Sequence, residues 1–427
     1  MTATDRRTTL LASIVLLVSL VTNFGYLAID RSLVMDDSPT YIGPARNLAQ
    51  GNGFRNANGL SETRRTPGYP MFLASLVPLP DPLWSAVVVQ HALNAALALC
   101  LYYLMLHVLG DAKAAFAGAL FFAFDIPSLV HANMIVTETL FTVLTFIVFA
   151  ILSRPRLSVS ALALAGLTAG ASVLVRPIAL YVAVPLAIVI AVRDRRSAVI
   201  RVLVFAGCFA VLPLAWSARN AARGDGFTVS TITSWSLLFD RAASTAAMGD
   251  SGDYGANIMR RRNEFAREVG DPPREATYSN HILRPSDHFH VERYSSLGLR
   301  IITSHPVDYF RAYILALART LFGGGAKQLQ DLAGFTPRRA QIVILSYTSA
   351  SMLIALAGLV MLFRREPHVA LVSLAFVGYY LSACSMAEAT SRFRVPVMPM
   401  VAVWFGCGLI EIFRRLRLGS QAVTVVP

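Results

Sequence analysis

Ten apolar stretches punctuate this chain, at 10–28, 84–106, 114–130, 135–152, 158–174, 177–192, 198–216, 341–363, 368–384 and 395–413. A helix needs roughly 20 apolar residues to cross the hydrocarbon core of a bilayer. With no water there to satisfy backbone N–H and C=O groups, such runs must bond internally as helices. Only 15% of the 427 residues are charged and 55% are hydrophobic, whereas soluble domains carry about 25% charge. These features predict an all-α polytopic membrane protein with about ten transmembrane helices and further juxtamembrane helices.

The distribution of basic residues predicts the topology. Short connectors carrying Arg6 and Arg7, Lys113, Arg154 and Arg156, Arg193 to Arg196, Arg364 and Arg365, and Arg414 to Arg417 all fall on one side if the chain alternates strictly. Basic short loops face the cytoplasm, so both termini are expected there. The first run follows Arg6 and Arg7 but has no small-residue cleavage site behind it, and reads as an uncleaved span. Two long segments, 29–83 and 217–340, then face outward with the connector 385–394. The chain accordingly divides into an N-terminal transmembrane module (1–216) containing the first outer loop, a periplasmic loop (217–340), and C-terminal transmembrane helices (341–427). Within the middle segment, residues 301–322 are apolar but interrupted by Asp308, Arg311 and Arg319, which predicts an amphipathic helix on the membrane surface.

The net charge of +13 is carried almost wholly by arginine, since Lys113 and Lys327 are the only lysines. Part of that charge is topological, so it does not argue for nucleic acid as a partner. Cys100, Cys208, Cys384 and Cys407 all lie in apolar runs and read as small buried hydrophobes. His288 and His290 form an HxH pair with no third ligand at recognisable spacing, which reads as solvated loop. No Gly-rich phosphate loop, GxSxG or HExxH occurs, which argues against nucleotide-driven chemistry and against serine or zinc hydrolysis.

Charged residues concentrate instead at the outer ends of the runs. The first outer loop carries Asp36 and Asp37, then Tyr41, then Arg64 and Arg65 before Pro67-Gly68-Tyr69-Pro70. A carboxylate near the interface can take a proton from a hydroxyl, and arginine grips phosphate oxygens in bidentate fashion. Glu138 opens the fourth run, with Asp125 and His131 near it, and Arg176 opens the sixth beside Pro177. Ionisable groups at such depth face a partner or a polar cavity; a Glu138–Arg176 pair holding two helices together is the plainer alternative. Arg219-Asn220 follows the seventh run, and Glu388-Ala389-Thr390-Ser391-Arg392-Phe393-Arg394-Val395-Pro396 precedes the tenth. Arg392 and Arg394 there suit either a lipid phosphate or simple snorkelling.

This set, together with Gly51, Gly53, Thr137 and His305-Pro306, resembles the bacterial membrane glycosyltransferases of the GT-C superfamily, in the branch related to protein O-mannosyltransferases and the lipid A aminoarabinose transferase. The resemblance runs from the first span to the last. It implies a GT-C-like N-terminal module and an inverting transfer of sugar from a polyprenyl-phosphate donor to an acceptor lipid, glycan or protein at the outer face of a bacterial inner membrane. In the family an aspartate of the first outer loop, often within an Asp-Glu pair, is the proposed base. Aligned on Tyr41, Asp37 takes its place, Ser38 stands where the glutamate would be, and Asp36 is an extra acid before them. The base is therefore Asp36 or Asp37, and whether a divalent metal has a site is left open. Glu138 would orient the acceptor or hold an arginine. Arg64, Arg65, Arg176, Arg392 and Arg394 would bind the donor phosphate, and Tyr41, Tyr69, Arg219 and Asn220 would support the acceptor or its loops. A transporter or flippase of lipid-linked substrates is the alternative, but no inverted repeat or broken midplane span is legible.

Overall fold

The computed structural model describes residues 3–223, 226–271, 288–383 and 390–423. Cys384, Glu388 and Ala389 lie outside them, as do the side chains of His288 and His290. Helices dominate, and the described residues contain no strand beyond an isolated bridge between Arg55 and Ser61.

The apolar runs are helical. Five helices are long and apolar enough to cross a membrane: α1 (Ala3–Ile29), α4 (Pro82–Leu109), α10 (Ala198–Ala222), α17 (Pro337–Arg365), and the segment Ser391–Leu416 containing most of α19 (Met398–Val423). A further apolar pair, α5 (Ala112–Ala123) and α6 (Ile126–Ala132), is bent by 52° and forms a broken span or a re-entrant loop. The bend lies at Asp125, whose carboxylate accepts from the Ser128 N–H (3.0 Å) and hydroxyl (2.6 Å), capping α6 and ending the run expected to continue to 130. Shorter apolar helices fill the other expected runs: α7 (Glu138–Leu152), α8 (Val159–Val175), a 3₁₀ turn (Pro177–Val182) continuing into α9 (Ala183–Arg193), and α18 (Pro367–Ala383). The chain is an all-α polytopic membrane protein.

Close backbone approach holds the bundle together. A Cβ at Gly166 would strike the Phe205 carbonyl and one at Gly170 the Phe209 carbonyl, so this GxxxG pair lets α8 and α10 pack backbone to backbone.

Both long outer segments carry helices of their own. The first holds α2 (Pro39–Ala49) and α3 (Gly68–Leu76). The second holds α11 (Ile232–Ser236), a π-helical turn (Leu237–Ala242), α12 (Ala243–Ala247), α13 (Tyr254–Glu268), α14 (His288–Ser304), α15 (Pro306–Phe322) and α16 (Ala326–Ala333). Residues between Trp235 and Leu297 make a small second core around Phe239, Phe265 and Tyr294. The amphipathic stretch 301–322 is broken rather than continuous, because Pro306 has no N–H to donate and disfavours helix at His305, which has φ −130° and ψ 57°. α15 buries Ala312, Ala316 and Thr320 on one stripe and exposes Val307, Phe310 and Ile314. The two outer segments meet: the Ser230 hydroxyl donates to the Arg64 carbonyl, and the Thr231 N–H to the Thr63 carbonyl at 3.1 Å.

Candidate active site

Asp37 is placed by the turn that starts α2. The Ser38 hydroxyl accepts from the Met35 N–H (3.0 Å), the Thr40 hydroxyl donates to the Asp37 carbonyl (2.6 Å), and Pro39 opens the helix. Arg65 reaches the same turn from the far end of the loop. Its Nε donates to Thr40 Oγ1 (2.9 Å) and its Nη2 to Asp37 Oδ1 (2.6 Å). The guanidinium lies 4.7 Å over the Tyr41 ring, which meets Tyr69 edge-on at 5.3 Å. Buried Glu62 accepts the backbone N–H groups of both Arg64 and Arg65, fixing the local chain path.

A second carboxylate lies deeper. Glu138 begins α7 and is fully buried, at 0% exposure. Arg176 ends α8 in extended conformation because Pro177 follows, and its Nη1 donates to Glu138 Oε1 at 2.5 Å. Arg392 bridges the two acids: its Nη1 donates to Asp37 Oδ2 (2.8 Å) and its Nε to Glu138 Oε1. It is carried on a 3₁₀ turn (Ser391–Val397) between α18 and α19. Residues up to 355 positions apart in sequence thus form one alternating chain, Arg65–Asp37–Arg392–Glu138–Arg176.

Asp37, Arg65, Arg176 and Arg392 line a cavity of about 310 Å³. Tyr41 and Arg64 line it too, with Arg64 4.9 Å over the Trp235 ring. Other residues singled out from the sequence lie elsewhere. Asp36 is exposed and does not line the cavity, so of the two neighbouring acids it is Asp37 that meets the arginines. Tyr69 sits behind Tyr41, fully buried, donating to Gln90 Oε1 at 2.7 Å. Arg219 stacks on Trp216 and donates to the Phe54 carbonyl (3.3 Å), while the Asn220 amide donates to the Thr228 carbonyl (2.7 Å), so both secure loops. Arg394 turns away and donates to the carbonyls of Leu321 (2.6 Å), Gly323 (3.0 Å) and Thr320 (3.3 Å), with Asp125 3.9 Å away. It fastens the end of α15 to the turn that presents Arg392. Gly324, with φ +91°, completes that junction, since a Cβ there would collide with the Ser391 side chain.

Burial alone would push the Asp37 carboxyl up, but the charges of Arg65 and Arg392 outweigh it and hold the group well below the usual carboxylate range. Burial also lowers the proton affinity of Arg65, yet Tyr41 and Asp37 leave it above its ordinary value. Glu62 goes the other way, raised by burial.

Neither a protein-family model nor a curated protein matches this sequence. Solved structures do match. The oligosaccharyltransferase AglB of Archaeoglobus fulgidus, in complex with an inhibitory peptide and a dolichol-phosphate, aligns over 100% of this chain and 52% of its own at 14% identity and TM-score 0.51. The apo form of the Archaeoglobus fulgidus oligosaccharyltransferase aligns over 97% and 51% at 15% identity and TM-score 0.54. The chain has the GT-C fold. It spans about half the length of those oligosaccharyltransferases. ArnT of Cupriavidus metallidurans bound to undecaprenyl phosphate covers 100% of the chain and 82% of its own at 14% identity and TM-score 0.42.

Within this GT-C fold the cavity has a second wall that sequence reasoning missed. Trp235, Ser236, Asp240 and Arg241 come from α11 and the π-helical turn, and Tyr181 and Tyr379 from the bundle. Asp240 is buried, accepts from Ser236 Oγ (2.7 Å) and pairs with Arg262 (2.7 Å); Arg241 donates to the Ala383 carbonyl (2.6 Å). The available signal was an Asp-Arg pair inside the otherwise apolar run Leu237 to Ala243. In this conformation Asp37 has no second acidic ligand beside it for a divalent cation. Both Asp37 oxygens accept from guanidinium groups, and the neighbouring position holds Ser38, whose hydroxyl is engaged with Met35. Among the described residues no group of three or more His, Cys, Asp or Glu is placed to hold a metal.

Proposed function

We propose that the chain is an inverting glycosyltransferase, moving a sugar from a polyprenyl-phosphate donor to an acceptor lipid, glycan or protein at the outer face of a bacterial inner membrane. The observation that carries this reading is the alternating guanidinium–carboxylate chain, whose Arg65, Asp37, Arg392 and Arg176 line the cavity while Glu138 lies buried behind them. Three guanidiniums against two carboxylates leave one positive charge, which a sugar phosphodiester monoanion neutralises. A protein of this fold, AglB, binds a dolichol-phosphate. The site draws on distant parts of the chain: Asp37, Arg65, Glu138 and Arg176, then Trp235 and Arg241, then Arg392. The positive-inside pattern supports termini in the cytoplasm and a cavity that opens outward.

In the reaction the acceptor hydroxyl or amine attacks the anomeric carbon opposite the phosphate. The new bond forms as the carbon–oxygen bond to phosphate breaks, the electron pair stays on the phosphate oxygen, and the acceptor proton passes to Asp37. Arg65 and Arg392 meet the charge that grows on the leaving phosphate, so they stabilise the transition state more than the ground state. Glu138 and Arg176 act through Arg392, holding its plane. Mass analysis of envelope lipids and glycans from cells carrying the wild-type gene or Asp37→Asn tests this. The variant is expected to lose one glycan or lipid modification and accumulate the polyprenyl-phosphate sugar; identical profiles would refute it.

A further inference from the structure

In the structure both oxygens of Asp37 are occupied, Oδ1 by Arg65 and Oδ2 by Arg392. A general base needs a lone pair directed at its substrate. Here one lone pair on each oxygen is engaged by the same two guanidiniums that a lipid phosphate would need, and their charge lowers the basicity of those that remain. Carboxylate and phosphate are the two anions that match the planar donor fork of arginine.

The arginines do not depend on Asp37 for their position. Arg65 is held through its Nε by Thr40 and by stacking on Tyr41, and Arg392 through its Nε by Glu138. Their Nη groups can therefore change partner without the guanidinium moving. Asp37, by contrast, lies just ahead of α2 with its side chain 15% exposed on the cavity wall, and its carboxylate is held by the two guanidinium contacts that a phosphate would replace.

Resting on the transferase reading above, we infer that Asp37 occupies the donor phosphate's subsite as an internal anion, and that arrival of the donor phosphate displaces it and so turns it into the base. Before the donor binds, Asp37 is a weak proton acceptor; once the phosphate has taken Arg65 and Arg392, its basicity returns towards that of an ordinary carboxylate. The acceptor is then activated only when a donor is in place. Binding is ordered, donor first, and neither water nor acceptor meets an active base in an empty site.

An internal anion competes with its mimic, so removing it tightens binding of the lipid phosphate even as transfer is lost. The test uses full-length protein in nanodiscs and undecaprenyl phosphate as probe, with undecaprenol as the uncharged control. Losing one charge-assisted competitor is expected to strengthen undecaprenyl phosphate binding by roughly tenfold in Asp37→Asn, with undecaprenol unchanged. Asp37→Ser, a second neutral variant, gives the same direction if the asparagine protein does not fold. If wild type binds undecaprenyl phosphate in preference to undecaprenol but the neutral variants bind it equally or more weakly, the internal-anion assignment is wrong while the transferase reading stands. If no protein, wild type included, distinguishes the phosphate from the alcohol, the lipid-phosphate reading itself fails.

Discussion

Arg392→Ala removes the guanidinium that Asp37 and Glu138 share. Asp37 keeps Arg65 and lies at the cavity, but Glu138 is fully buried, keeps only Arg176, and has no hydrogen-bond partner at Oε2 among the described residues. Breaking a buried ion pair on one side costs about 3–5 kcal/mol because the stranded charge cannot be resolvated. With Arg176 still in contact, the lower end, about 3 kcal/mol, is expected. The same reasoning makes the loss reversible: Glu138→Gln in the Arg392→Ala background removes the stranded charge and is expected to restore about 2 kcal/mol, a coupling within the range for contacting residues. Unfolding of the four proteins of this cycle in detergent, followed by Trp fluorescence, should place the double variant above Arg392→Ala. Strictly additive losses from the two single variants would show that Arg392 and Glu138 do not share an ion pair, and would refute the geometry of the cluster.

Gly170→Ile is expected to separate α8 from α10 by driving a side chain into the Phe209 carbonyl, at a cost of about 3 kcal/mol or more, read as a lower thermal midpoint; an unchanged midpoint would contradict the close approach. Arg394→Gln is expected to lower stability by loosening the carbonyls of α15 while leaving undecaprenyl phosphate affinity within about twofold of wild type; a loss of affinity as large as that of Arg392→Ala would place Arg394 at the phosphate. Because the Asp37 carboxyl titrates lower folded than unfolded, its contribution to stability is complete above the unfolded value of about 3.9 and disappears only as pH falls below it. The stability gap between wild type and Asp37→Asn should then stay constant from pH 8 to 5 and close only below about pH 4; a gap that narrows between pH 7 and 5 would show that Asp37 is not held by its arginines.

Sequence pattern carried the fold further than it carried the site. Apolar runs of bilayer length leave helices as the only outcome, and the helices lie where those runs predict. Asp37, Arg65, Glu138, Arg176 and Arg392 were each legible as charges at the ends of runs, because such positions are costly for a residue without a partner. What pattern could not supply is register at the breaks. Arg392 and Arg394 look equivalent two residues apart, but a turn of three residues points them in different directions, one to the cavity and one to the carbonyls of α15. Asp36 and Asp37 are told apart only by the turn that begins α2. Asp240 and Arg241 escaped notice because the π-helical turn that brings them to the cavity leaves no periodic signature. The break at Pro306 was readable in principle, since proline lacks the donor a continuous helix needs, yet the apolar content of 301–322 outweighed it.

The most direct test of the central claim is whether purified protein cleaves a lipid-linked sugar. Wild type in detergent, given a radiolabelled polyprenyl-phosphate sugar and an envelope extract as acceptor, should release polyprenyl phosphate and pass the label to the extract, with Asp37→Asn inactive although folded. Intact donor after incubation with wild type, or equal release by well-folded Asp37→Asn, would contradict it.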